Sequence, residues 1–351
     1  MNKITATADS ADRGGLSPLS VLPLLPVPSG VDAAILASES DLRDWFVLLK
    51  PRVLTLVVFT GLIGMLVAPG HLHPVLAFTA LLAITVAAGA AGAINMWFDR
   101  DIDAVMHRTR NRPIPAGRIS PEAALGYGVL LAGASVAVMF LATNAAAAAV
   151  LALSIGFYVF VYTMWLKRRT PQNIVIGGAA GAFPPVIGWA DVTGSIDVVP
   201  LLLFAIIFFW TPPHFWSLAL YANADYRRAG VPMLPVVAGA RETRRQIVLY
   251  TLVLLPVSLT PWMIGFSGLI YAASAVALGG YFLASVVRVA RDDQDPEGVS
   301  RTNDRPARAA FKYSILYLFL LFGAFAVDRL AGPLFPGNIF VSTLSLTSVL
   351  G

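Results

Sequence analysis

The chemistry of this chain begins with three side chains at a constant spacing. In the stretch Asn95-Met-Trp-Phe-Asp99-Arg-Asp101-Ile-Asp103, the amide Asn95 and the carboxylates Asp99 and Asp103 recur every fourth residue. On a helix each such step turns by only about 40°, so the three share one face. Like charges so placed repel. A hard divalent cation removes the repulsion, and oxygen ligands suit Mg²⁺, which takes one or two carboxylates together with substrate phosphates. Arginines follow at once: His107-Arg108-Thr-Arg110-Asn111-Arg112-Pro113, then Gly117-Arg118. The guanidinium fork matches phosphate oxygens. Carboxylates for Mg²⁺ beside arginines for phosphate point to a metal-bound diphosphate. Taken singly, Arg110 or Arg118 is as well explained as a topological charge or an ion-pair partner. Asp101 falls on the opposite face, where an Arg100 or Arg108 partner competes with a metal role.

Two more segments carry candidate groups. Trp210-Thr-Pro-Pro-His214-Phe-Trp216 lies in an apolar run and is followed by Tyr221, Asn223 and Asp225-Tyr-Arg-Arg228. Asp225 either faces Asp99 and Asp103 across a cavity, allowing a second metal site, or pairs with Arg227 or Arg228. His214 is either a hydrogen-bonded structural residue or, with Trp210, Phe215 and Trp216, part of a site for a flat hydrophobic acceptor. Elsewhere Tyr158, Tyr162 and Thr163 precede Lys167 and Arg168, which would supply further diphosphate contacts. The small residues Gly177, Gly178 and Gly181 permit close helix packing. No Walker loop, dinucleotide fingerprint or Ser-His-Asp order is present.

The elements that position these groups are set by composition. Of 351 residues, 57% are hydrophobic and only 13% charged, with no cysteine. The mean hydropathy is +0.73. So few charges do not cover a soluble surface, and the solvent for most of the chain is lipid. Disulfides, thiolate metal sites and cysteine nucleophiles are excluded. Nine apolar runs are expected as membrane-spanning helices, near 48–69, 74–96, 121–142, 144–166, 174–191, 199–220, 246–265, 267–289 and 311–331. They are continuous, unlike the alternating strands of a β-barrel. The fold class is therefore an all-α polytopic membrane protein.

Every Lys and Arg except Arg329 lies before the first run or in the 2–3, 4–5, 6–7 and 8–9 connections, counting the adjoining run ends. By the positive-inside rule the N-terminus is cytoplasmic and the C-terminus lies on the opposite side. The net charge of +5 then reflects basic loops on one face, not a nucleic-acid partner. Residues 1–44, rich in Ser, Pro, Gly and Ala, read as a mostly disordered cytoplasmic tail. Residues 45–335 form the nine-helix domain and 336–351 a short C-terminal tail. A cleaved signal peptide is disfavoured by Asp9, Asp12 and Arg13. A secondary transporter is the reading from a different class, but no convincing repeat of halves is visible and the acids lie at run ends.

Longer strings carry a resemblance. Asp99-Arg-Asp-Ile-Asp103-x4-Arg108-Thr-x-x-Arg112-Pro-x-Pro is joined by Tyr162-Thr163-x3-Lys167-Arg168-x-Thr170-Pro-Gln-Asn-Ile-Val-Ile-Gly177-Gly. Pro213-His214-Phe-Trp216-x-Leu-Ala and Asp225-Tyr-x3-Gly230-Val-Pro-Met-Leu-Pro235 complete the set. Over about residues 42–332 the chain resembles the UbiA-type intramembrane prenyltransferases, and within them the members that farnesylate haem. The resemblance implies that Mg²⁺ and farnesyl diphosphate are held by Asn95, Asp99, Asp103 and Asp225. Arg108, Arg112, Lys167 and Arg168 would neutralise the departing diphosphate. Tyr162 or Tyr221 would orient the diphosphate or the allylic cation, and His214 and Trp216 would contact haem. A vinyl group of protohaem IX would attack the cation, with haem O as product. Haem A synthase or another oxidase-assembly protein would be the partner, and the bacterial cytoplasmic (inner) membrane the setting. Many relatives carry a DxxxD pair in the 6–7 connection; here its first position is Tyr221, which puts a second full metal site in question. A sister enzyme prenylating a quinone precursor or another aromatic ring is the nearest alternative.

Overall fold

Helix starts and stops follow local chemistry in the computed structural model, which describes residues 40–331 apart from Glu297. Proline, which has no N–H to leave unpaired in a first turn, begins α2 (Pro51–Val67), α3 (Pro74–Phe98), α5 (Pro121–Ala142) and α8 (Pro184–Thr193). Ser120 caps α5 by accepting from the Ala123 N–H, and Asn144 caps α6 (Ala145–Gly156) through Ala147. Gly194, with φ of 70°, ends α8 in the left-handed conformation that glycine tolerates. The other elements are α1 (Leu42–Leu48), α4 (Arg100–Val105), α7 (Asn173–Ala182), α9 (Val198–Tyr221), α10 (Asn223–Arg228) and α11 (Leu234–Val237). The chain closes with α12 (Gly239–Met263), α13 (Leu269–Ala290) and α14 (Arg305–Ala331). Helix α6 runs on as a π-helical segment, Phe157–Leu166. Among the described residues no strand is formed beyond an isolated bridge between Gln294 and Ser300.

Among the described residues, eight helical segments are long and apolar enough to cross a membrane, and a ninth follows if α1 and α2, bent by 57°, count as one. The first expected run is broken for a local reason. Lys50 sits at φ 55° and ψ 53°, immediately before Pro51, and a residue preceding proline is disfavoured in the helical region. Pro184-Pro185 likewise splits the fifth run into α7 and α8, whereas Pro212, Pro213, Pro256 and Pro261 are absorbed within α9 and α12. Of the expected tails, residues 1–39 and 332–351 lie outside the described residues; the described end of the first begins with Ser40, and Asp41 caps α1.

The buried side chains form two main groups. The larger joins α9, α12, α13 and α14 around Leu203, Trp210, Phe282, Tyr317 and Phe322. The smaller packs α3, α5, α6 and α8 around Ala83, Ala87, Met139, Val150 and Ile187. Leu130, Leu141, Phe78 and Phe160 point outward, as a lipid-facing surface requires. Where apolar surface alone cannot drive association, small residues let backbones approach. Such a seam joins α2 to α8: Gly64 lies against the Pro185 backbone and Gly188 against the Gly61 carbonyl, too close for a Cβ.

One acid inside the bundle has a structural task. Asp328 in α14 is buried and accepts the backbone N–H of Gly268 and, at 3.4 Å, that of Tyr271. It thereby satisfies first-turn donors of α13 that have no partner within their own helix.

The α2–α8 seam predicts that Gly188→Ala destabilises the protein by about 1–3 kcal/mol, because a backbone neighbour must move. Gly133→Ala, where nothing lies within 4 Å, should leave the melting temperature in detergent unchanged; equal melting temperatures for the two variants would refute the seam.

Candidate active site

The acidic triplet is built across a change of helix. Asn95 is in the last turn of α3, Asp99 is its C-cap, and Asp103 lies in α4. The helical hydrogen bonds continue through the break, with Asp99 N–H donating to the Asn95 carbonyl at 2.9 Å and Asp103 N–H to the Asp99 carbonyl at 2.8 Å. The fourfold spacing therefore keeps its meaning, and all three side chains are buried.

Each is met by a cation or a donor. Lys50 Nζ donates to Asn95 Oδ1 at 2.6 Å. Asn95 Nδ2 donates to Asp99 Oδ2 at 2.7 Å and to Thr163 Oγ1 at 3.2 Å. Lys167 pairs with Asp99, and Arg112 with Asp103 at 2.6 Å. Arg168 spans the rim: it hydrogen-bonds both oxygens of Asp101 at 2.7 and 2.8 Å and lies 4.8 Å over the Phe98 ring. Those bonds hold the Asp101 carboxyl below its ordinary pKa. Asp101 thus has an arginine partner, though one from the 4–5 connection. Arg118 is drawn away to Asp44 at 3.0 Å.

Asn95 and Asp103 of the triplet line a cavity of about 420 Å³, with Asp99 behind them and outside the lining. Lys50, Asn95, Asp103, Arg108, Arg112 and Lys167 are its polar lining, while Ile84, Ala87, Leu151, Ile155, Ile207 and other apolar groups line its depth. Tyr158, Tyr162 and Lys167, spaced four and then five residues apart, stay on one face because the π-helical turn is wider than an α turn. Gly177 makes room for Tyr162, whose ring occupies the place a Cβ would take. His214 also lines the cavity, stacked between Trp210 and Phe311 at 4.2 and 4.6 Å.

Five expected residues sit apart from the lining: Asp99 and Arg168, already described, and Asp225, Tyr221 and Trp216. Asp225 accepts the His107 backbone N–H at 3.3 Å and pairs with Arg228 at 3.2 Å, tying the 6–7 connection to the 2–3 connection. Tyr221 lies under Arg308 at 4.4 Å and edge-on to Phe311. Trp216 is fully buried, edge-on to Tyr250. Two positions escaped sequence reasoning. Lys50 read only as a topological charge, and Thr163 only as part of a string; the lysine beside a proline at a run end was the available signal for the first.

Can the residues hold a cation? Asp99 Oδ1 is enclosed and accepts no hydrogen bond; Arg168 Nη2 lies 3.6 Å away. The donor set is all oxygen, and Lys167 and Arg112 are paired with its carboxylates. The set fits a hard divalent ion bridging to a diphosphate. Arg108 is the complement: it lines the mouth and makes no hydrogen bond or ion pair among the described residues.

The UbiA prenyltransferase family model matches residues 57–316. A relative named protoheme IX farnesyltransferase, from Granulibacter bethesdensis, is 64% identical over 322 residues, covering 92% of this chain and 99% of its own. Among solved structures, a digeranylgeranylglyceryl phosphate synthase superposes with a TM-score of 0.67 at 16% identity, covering 82% of this chain and 98% of that one. A UbiA homolog from Archaeoglobus fulgidus bound to DMAPP and Mg²⁺ gives 0.56 at 17% identity, covering 80% and 99%. At such identities these two structures speak to the fold.

The contrast between paired and unpaired cations is measurable. Lys167→Ala strands a fully buried carboxylate and should cost about 3–5 kcal/mol. Arg108→Ala should cost within about 0.5 kcal/mol. Thermal unfolding of both variants checks this; a destabilised Arg108→Ala protein would mean that the guanidinium has a structural partner.

Proposed function

The chain belongs to the UbiA prenyltransferase family, and on that premise we propose that this prenyltransferase moves the farnesyl group of farnesyl diphosphate onto a vinyl group of protohaem IX. The observation that carries this reading is the 64% identity, over 99% of its length, to a protoheme IX farnesyltransferase. A cavity with a charged mouth and an apolar depth supports it, because the donor substrate has the same division.

Asn95, Asp99, Asp103 and Asp225 are assigned to the Mg²⁺–diphosphate, and the A. fulgidus homolog's own ligands are in keeping with that. When bound, the cation neutralises charge on the diphosphate. Arg108, Arg112, Lys167 and Arg168 do the rest of that work, since stabilising the charge that develops on the leaving group is the largest electrostatic task. Lys167 and Arg112 are already held at the mouth by Asp99 and Asp103. Asp99 and Asp103 would hold a divalent cation that supplies positive charge there, and Lys167 and Arg112, paired with them in its absence, would then serve the phosphate oxygens. Tyr162 and Tyr221 are assigned to orienting the diphosphate or the cation; Tyr162 is the one in the cavity lining.

The balance of the reaction is closed by one water. The C1–oxygen bond of farnesyl diphosphate breaks with both electrons going to diphosphate. The vinyl carbon of protohaem forms the new bond to C1, and the positive charge passes to the carbon beside the ring. Water adds there and loses a proton, leaving a hydroxyethylfarnesyl side chain; the product is haem O. The apolar walls keep other water from the first cation. His214 and Trp216 are assigned to the haem side. Haem A synthase or another oxidase-assembly protein then takes the product.

The protein is embedded in a membrane through its apolar helices. We assign nine spans, counting α1 with α2, with the N-terminus and the mouth cytoplasmic, the C-terminus opposite, and the bacterial inner membrane as the site. The segregation of Lys and Arg supports that orientation. Residues 1–44, 45–335 and 336–351 are assigned as tail, catalytic domain and tail.

In detergent with haem, farnesyl diphosphate and Mg²⁺, haem O should form, and chelation should stop it. Asp99→Asn and Asp103→Asn should each lower the rate by at least about a hundredfold while the protein still inserts. If 4-hydroxybenzoate is prenylated in the parallel assay and haem is not, the acceptor assignment is wrong. Arg108→Ala should raise the KM for farnesyl diphosphate without a change in melting temperature.

A further inference from the structure

Ser314 is fully buried in α14, and its hydroxyl lies 2.7 Å from the Phe311 carbonyl and 2.6 Å from His214 Nδ1. A hydroxyl has one hydrogen. With that hydrogen on the Phe311 carbonyl, the hydroxyl oxygen accepts from the imidazole and Nδ1 carries the proton. The Ser314 carbonyl accepts in addition the Trp210 indole N–H at 2.8 Å, so the same residue anchors His214 and the ring stacked on it. In the neutral imidazole, Nδ1–H leaves Nε2 as a bare lone pair.

That lone pair is not used within the protein. Among the described residues Nε2 has no hydrogen-bond partner, yet it is not one of the enclosed, unsatisfied atoms, and His214 lines the cavity. The ring cannot readily turn. Trp210 stacks on one side at 17° and Phe311 at 22°, and Phe215 meets it edge-on. A histidine kept only for packing would have both nitrogens paired or one facing lipid. Instead one nitrogen is pinned by a donor bond, which raises the basicity of the other, and the plane is clamped. This is how a metal-ligating histidine is oriented by its surroundings. The contacts are aromatic rings and one hydroxyl, with no carboxylate to favour imidazolium.

We infer that His214 Nε2 is an axial ligand of the iron of the acceptor haem, and that Ser314 is a positioning residue that sets its tautomer and direction. The inference rests on protohaem being the acceptor. It adds a fixed point to the acceptor site: the iron is tethered on α9, and the porphyrin can only rotate about that bond to bring a vinyl group to the farnesyl carbon.

The test titrates the full chain in detergent with ferric protohaem and, separately, with metal-free protoporphyrin IX. Wild type should show the optical and electron paramagnetic resonance signature of imidazole-bound haem. His214→Gln, which keeps a donor toward Ser314, should lose that signature yet bind metal-free protoporphyrin as wild type does. Added imidazole should restore it in His214→Ala. Ser314→Ala should keep the signature and weaken haem binding about tenfold, with metal-free protoporphyrin unaffected. A His214→Gln protein with the wild-type haem spectrum, or one that loses both porphyrins equally, would overturn the ligation while farnesylation of haem by wild type left the acceptor assignment standing. A wild-type chain that neither binds nor farnesylates haem would instead overturn the acceptor assignment.

Discussion

Asp99 and Asp103 are almost completely shielded from solvent, and a carboxylate taken out of water must be compensated or it costs several kcal/mol. Much of the architecture at this end of the bundle follows from that demand. Lys50 arrives from the break before α2, Lys167 from the end of the π-helical segment, and Arg112 from the 2–3 connection. Three separate parts of the chain are therefore drawn to one point. The arrangement is also an incomplete one. Asp99 Oδ1 accepts no hydrogen bond, so the cations gathered here leave one carboxylate oxygen open.

The triplet was legible because its spacing is a helical one and the hydrogen bonds continue across the α3–α4 break. The span count was legible to within the α1–α2 bend, because length and hydropathy decide it, whereas Lys50 in a left-handed conformation breaks the first run without changing its composition. Lys50 itself was hidden: its basic charge satisfied topology, and only the bend aims it at Asn95. Trp216 and His214 looked alike in sequence, two aromatic-flanked residues in one string. Two residues on a helix are turned by about 200°, so His214 meets the cavity and Trp216 meets Tyr250 on the other side. Long-range partners such as Asp44 for Arg118 and Arg168 for Asp101 have no local signal at all.

The cavity depends as much on what is missing from side chains as on what is present. Gly177 admits the Tyr162 ring, and the Gly61, Gly64 and Gly188 seam holds α2 against α8, two helices that both contribute lining residues. Of the glycines expected to serve packing, Gly177 and Gly178 meet Tyr162 and Thr211 closely, whereas Gly181 has nothing within 4 Å and opens onto the cavity it lines.

The buried carboxylate of Asp328 has a consequence for how the protein is made. Its acceptors lie 60 and 57 residues after the backbone donors they satisfy at Gly268 and Tyr271. During synthesis α13 leaves the ribosome before the residue that accepts from the amides of its opening turn. The start of α13 therefore takes its final hydrogen bonds only when the last helix is in place beside it.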